Sequence, residues 1–170
     1  LFIGAIALRS LPHAIQAIKF PLYEETVCGN VAKDLLDGGL VTNLLDYAYT
    51  PANSLTMGLL VLPLYTLFGP LHIWLLLLAL ALGIASYLLA LRAIRQSDGL
   101  LAALWAMPAV VLMSDALAYS QVHASAPHRE QFFWTMLQLV FFLAFFRNRR
   151  RWWAAVGYGF AAGIAVFNIL

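Results

Sequence analysis

"LHIWLLLLALALGIASYLLAL", Leu71 to Leu91, runs for twenty-one positions without a charged residue. A helix crossing the hydrocarbon core of a bilayer needs about 20 mostly apolar residues, so this run reads as a spanning helix and decides the fold class. Composition agrees. The chain is 63% hydrophobic and 11% charged, with mean hydropathy +0.83, whereas a soluble domain carries roughly 25% charged residues. The sequence predicts an all-α, polytopic transmembrane helix bundle with external amphipathic juxtamembrane helices.

Three further apolar segments follow: Leu100 to Tyr119, with Asp115 near one end, Gln131 to Phe146, and Trp152 to Leu170. Arg92 and Arg95 come directly after the 71–91 run, and Arg147, Arg149, Arg150 and Arg151 join the third segment to the fourth. Short loops rich in Arg and Lys stay cytoplasmic, which orients the chain. Segment 71–91 then runs outside to inside, 100–119 returns, and 131–146 runs inward again. Residues from about Arg9 to Pro70 and from Ser120 to Arg129 face the outside.

Before residue 71 the pattern changes. Leu1 to Leu8 reads as the outer end of a spanning helix, because continuing the span to Ile18 would bury Arg9 near its middle at a cost of roughly 3 kcal/mol. Ser54 to Phe68, "SLTMGLLVLPLYTLF", is short, contains Pro63 and is followed by Gly69 and Pro70. If it spanned, all six loop arginines would move outside, so it reads as an interfacial or half-inserted helix. Between Thr26 and Asp37, Val27, Cys28, Val31, Ala32, Leu35 and Leu36 form one helical stripe opposite Asn30, Lys33, Asp34 and Asp37, and Gly38 and Gly39 supply a stop. The expectation is an external helix lying on the bilayer. Residues 1–170 thus form one transmembrane module, with an external loop over about 10–70. Without an initial Met, and ending at Leu170 inside an apolar run, the chain reads as a piece of a longer protein.

Five of the eight acids lie between Glu24 and Asp46. Glu24 and Glu25 open the amphipathic segment, where acids complement the helix dipole for about 0.3–1 kcal/mol each. Held at the membrane surface, either is also a candidate general base for a lipid-anchored substrate. Glu130 has the same two readings: a first-turn acid after Pro127, or an ionisable group at the outer mouth of a spanning helix, where it marks function. Asp115, near the end of its own helix on the same side, reads as a snorkelling end residue, with a third acid of the site as the alternative. His128 and Arg129 suit a phosphate, with interfacial anchoring as the alternative for Arg129. His123 and His128 do not share a helical face, which argues against a two-histidine metal site.

Other chemistries are excluded by pattern. One cysteine, Cys28, permits neither an internal disulfide nor a CxxC motif. There is no G-x-S-x-G, H-E-x-x-H, Walker A loop or G-x-G-x-x-G, and no basic patch for nucleic acid. A transporter or flippase subunit would instead carry charges inside its spans and an internal repeat.

Taken in order, Arg9, the Glu24–Glu25 pair, "AKDLLDGG" from Ala32 to Gly39, "YTPANSLTMGLLVLPLYTLFG" from Tyr49 to Gly69 and "HREQFF" from His128 to Phe133 resemble the N-terminal module of GT-C glycosyltransferases. The likeness is to the bacterial dolichyl-phosphate-mannose-protein mannosyltransferase-like group. The resemblance implies transfer of a sugar from a polyprenyl-phosphate-linked donor to a lipid, glycan or protein acceptor, at the external or periplasmic face of a bacterial inner membrane. It also implies an external-loop carboxylate as catalytic acid or base. That position holds Glu24, followed by Glu25, where the family has Asp, so the reach is one methylene longer. Glu130 would match the second acidic position. Inverting transfer needs one carboxylate to take the acceptor proton, while cations such as Arg129 or His128, or a divalent metal (Mg or Mn), stabilise the departing phosphate. The sequence identifies no ligands for such a metal.

Overall fold

The structure, a computed structural model, describes residues 2–19, 23–38, 51–112, 128–148 and 151–167. Among them are seven helices and no strand: α1 (Phe2–Lys19), α2 (Tyr23–Leu36), α3 (Pro51–Phe68), α4 (His72–Ser97), α5 (Leu100–Val111), α6 (His128–Arg147) and α7 (Trp152–Phe167). The all-helical expectation holds. By length and composition α4 alone, among the described residues, is a helix long and apolar enough to cross a membrane; the apolar parts of α3, α5 and α7 are shorter.

α4 extends past the 71–91 run, through Arg92 and Arg95, to a turn at Asp98 and Gly99. Its 26 residues reach about 39 Å, longer than a hydrocarbon core of about 30 Å, so the arginines cost nothing in the apolar part. Gly99 ends it with φ +95°, a conformation that glycine adopts without strain. Leu75, Ala79, Gly83, Ser86 and Ala93 form its buried stripe. These mostly small residues let neighbours approach closely, and the Ser86 hydroxyl is satisfied by donating to Leu82 O at 2.7 Å. α1, α2, α3, α5 and α6 all touch α4, while α7 packs on α6.

Packing pairs give the relative directions. The α3–α4 turn at Gly69–Pro70 makes an antiparallel hairpin, with Tyr65, Val61, Leu75 and Ala79 in one core. α4 and α5 form a second hairpin across Gly99. α6 runs parallel to α4: Phe132 meets Tyr87 edge-on at 5.9 Å, and further along both helices Arg147 donates to the Gln96 carbonyl. α7 returns antiparallel, since Trp134 packs on Ala161 and Ala165 whereas Phe141 meets Trp153. The alternation of 71–91, 100–119 and 131–146 is therefore that of α4, α5 and α6. The part of 100–119 beyond Leu112, with Asp115, lies outside the described residues.

Two expectations about the N-terminal half are corrected. α1 does not stop at Leu8 but continues through Arg9 and Pro12 to Lys19. Ile6, Ser10 and Ala17 are buried along one face, so the polar hydroxyl and the half-buried Arg9 lie against protein rather than lipid. α3 contains the helix expected over 54–68, with Pro63 inside it and exposed. Proline removes one N–H and crowds the preceding turn, a cost that outward placement limits but does not remove. The α2 stripe is confirmed as a stripe, with Val27, Cys28, Val31 and Ala32 buried, but its cover is α3 and α4 rather than the bilayer. Gly58 makes this packing close: a Cβ there would sit 2.8 Å from Val31 Cγ1.

A second close approach joins α6 to α7. A Cβ at Gly157 would lie 2.7–2.9 Å from three atoms of the Phe141 ring, while nothing stands within 4 Å of a Cβ at Gly163 on the same helix. Alanine improves helix propensity at both sites by about 1 kcal/mol, and overpacking costs about 1–3 kcal/mol only at Gly157. Gly157→Ala is expected to lower the thermal midpoint in detergent and Gly163→Ala to raise or preserve it. Equal shifts in the two variants would contradict the packing.

Candidate functional site

The basic residues converge. Arg92 and Arg95 leave the last turns of α4, Arg147 the last turn of α6, and all three line one open cavity of about 620 Å³ together with the start of α5. Arg147 and Asn148 end α6, and Arg151 precedes α7, so the two basic loops belong to the same end of the bundle. That is the arrangement the positive-inside rule requires.

The acids expected to form a site lie elsewhere. Glu24 and Glu25 are the second and third residues of α2. By backbone register Glu24 precedes buried Cys28 by four residues, and Glu25 precedes Gly29 by four and Lys33 by eight. Gly29 and Lys33 line a small cavity of about 170 Å³ between α2, the end of α3 and the start of α4, together with Asn30, Tyr65 and His72. Burial, and after it the neighbouring Cys28, pushes the Tyr65 phenol above its usual range, so it stays protonated and able to donate. This cavity, with Lys33 as a cation, was missed in the sequence. The only signal was the polar face of the amphipathic helix, which does not tell what closes over it.

Glu130 lies in the first turn of α6, 2% exposed and one turn before buried Trp134 on the same face. Phe132, two residues on, meets Tyr87, which stands twelve residues beyond the cavity residue Leu75 along α4. At 1.5 Å per residue that is about 18 Å along the axis. The structure thus does not bring Glu130 to the α2 cavity. His128 and Arg129 are the first two residues of α6 by backbone, and their start is set at the same depth; His123 lies outside the described residues. Among the described residues no group of three or more His, Cys, Asp or Glu is arranged to hold a metal ion.

Fold and site define a class, an α-helical protein with one helix able to cross a membrane, basic loops gathered at one end and an acid-led helix at the other. Comparison with protein families, curated proteins and solved structures found no match.

Proposed function

We propose that the chain is a polytopic integral membrane protein and the sugar-transferring module of a polyprenyl-phosphate-dependent glycosyltransferase. The observation that carries the reading is the division of charge along α4, with Arg92, Arg95 and Arg147 at its C-terminal end and the cavity of Lys33, Tyr65 and His72 at its N-terminal end. Membrane placement is supported by burial. Only 28% of the apolar window of α4 is covered by protein, and large side chains such as Trp105 and Leu8 are 75% and 71% exposed. A soluble core helix buries far more, and apolar area left in water at this scale is unfavourable by about 25 cal/mol per Å².

In this reading the basic end is cytoplasmic and the α2 cavity external. A prenyl-anchored donor reaches that cavity within the bilayer plane. Glu25, four residues before the cavity residue Gly29 along α2, takes the proton of the acceptor hydroxyl as its oxygen attacks the sugar's anomeric carbon. Lys33 balances charge on the departing phosphate. Replacing both carboxylates, Glu24→Gln with Glu25→Gln, is expected to reduce transfer of a radiolabelled sugar from polyprenyl phosphate by about 10²–10⁴-fold with unchanged protein level. Full activity in a normally expressed double variant would remove the catalytic role.

A second reading, a transporter or flippase, draws on Glu130. An ionisable side chain buried beside the second half of α4 is where a translocation pathway would place one.

A further inference from the structure

The cavity at the basic end has chemistry the proposed transfer does not use. Its cations are Arg92, Arg95 and Arg147, and Leu91, Leu104 and Met107 wall it on the apolar side. Arg147 has a structural occupation, because it donates to the Gln96 carbonyl and so satisfies the C-terminal end of α4. Arg92 and Arg95 have none: among the described residues, neither makes an ion pair or a hydrogen bond to a side chain. They stand three residues apart, on one face, where like charges repel unless an anion lies between them.

A further positive element points the same way. α5 begins at Leu100, which lines this cavity, and its first turn carries no acid. The residue before it, Gly99, has no side chain to cap the exposed N–H groups. Two guanidinium groups unpaired among the described residues, a helix N-terminus and an adjoining apolar wall fit one kind of ligand, a phosphate ester attached to a hydrocarbon chain. A free phosphate would leave Leu91, Leu104 and Met107 in water. A zwitterionic headgroup would set its own ammonium group against three arginines.

We propose that this cavity binds the phosphate of an anionic membrane phospholipid, with the acyl chain along the Leu91, Leu104 and Met107 wall. The site depends on the membrane placement of α4 and is independent of glycosyl transfer. Guanidinium pairs hold the phosphate diester by charge-assisted hydrogen bonds, and the apolar wall lies at the level where acyl chains begin.

The test is native mass spectrometry of the full chain, released from nanodiscs containing equal amounts of phosphatidylglycerol and phosphatidylcholine. The wild-type protein is expected to retain phosphatidylglycerol preferentially, and Arg92→Gln with Arg95→Gln to lower that retention roughly tenfold or more. Helicity by circular dichroism verifies that the variant is folded. Equal retention of the two lipids by the wild-type protein overturns the proposal without recourse to any variant. Undiminished phosphatidylglycerol retention in the folded double variant also overturns it. Addition of millimolar inorganic phosphate separates the two sources of the ligand chemistry. Lipid that stays bound supports a membrane ligand, and displacement overturns it in favour of a soluble phosphate.

Discussion

Gly58→Leu is expected to separate α2 from α3 and to expose Cys28. Adding only a Cβ at position 58 brings it to 2.8 Å from Val31 Cγ1, 3.1 Å from Val31 Cβ and 3.3 Å from the Ala32 backbone N. Val31 is fully buried and β-branched, so it has no other rotamer to retreat to, and the Ala32 amide belongs to the helix itself. Overpacking of this kind costs about 1–3 kcal/mol for small insertions. Leucine adds three more carbons where no space exists, against a helix-propensity gain of about 1 kcal/mol. Relief comes only if α2 moves as a unit. Cys28 reports that movement, since it is the only cysteine in the chain, 1% exposed within the cluster of Ala32, Met57, Val61, Tyr65 and Leu75. Reaction of its thiol with a maleimide is expected to accelerate by about 10²-fold, the ratio that roughly 3 kcal/mol of local destabilisation produces. A thiol as protected in Gly58→Leu as in the wild type would show that α2 does not pack where the structure places it.

That experiment turns on a contact that no periodicity reveals. The stripe from Val27 to Leu36 was legible in the sequence because spacing alone puts those residues on one face. Its cover was not, because lipid and another apolar helix are equivalent partners for a stripe, and only the absence of a Cβ at Gly58 favours the helix. α4 was legible for the converse reason: twenty-one uncharged residues leave few alternatives, and only its end was misjudged. Hydropathy stops at Leu91, but arginine is a good helix former, so nothing ends the helix before the Asp98–Gly99 turn. At Arg9 the error came from the reference state. The insertion cost that argued for ending the helix applies to a charge in hydrocarbon, whereas Ser10 is buried and Arg9 half-buried on a helix that touches α4 and α5. Of the site, the gathering of the arginines followed from loop charge. The closure of Lys33, Tyr65 and His72 into one cavity joins positions from three helices and has no sequence signature.

The other large effect is expected at Glu130, where charge and shape can be varied separately. At 2% exposure, one turn before Trp134, which packs on Ala161 and Ala165, the Glu130 side chain is shielded from water. Glu130→Lys puts an ammonium group on a longer side chain into a site that is 2% exposed. A mismatched buried charge costs about 3–5 kcal/mol, a large part of a domain's total stability. The expected result is loss of monodisperse protein on size-exclusion chromatography in detergent. Glu130→Gln keeps the volume and most of the hydrogen-bonding capacity and is expected to remain folded. That variant then distinguishes the two functional readings. In a glycosyltransferase whose base is Glu25, Glu130 is structural, since its neighbour Phe132 packs on Tyr87, about 18 Å along α4 from the cavity residue Leu75, so the Gln variant keeps sugar transfer within a fewfold. In a transporter, a buried carboxylate beside the middle of the bundle is the group that changes charge during the cycle, and removing its proton affinity stops the cycle while the fold persists. A folded Glu130→Gln protein with sugar transfer intact would count against the carboxylate as an essential group of the transfer reaction, and a folded Glu130→Lys protein would show that position 130 is open to water.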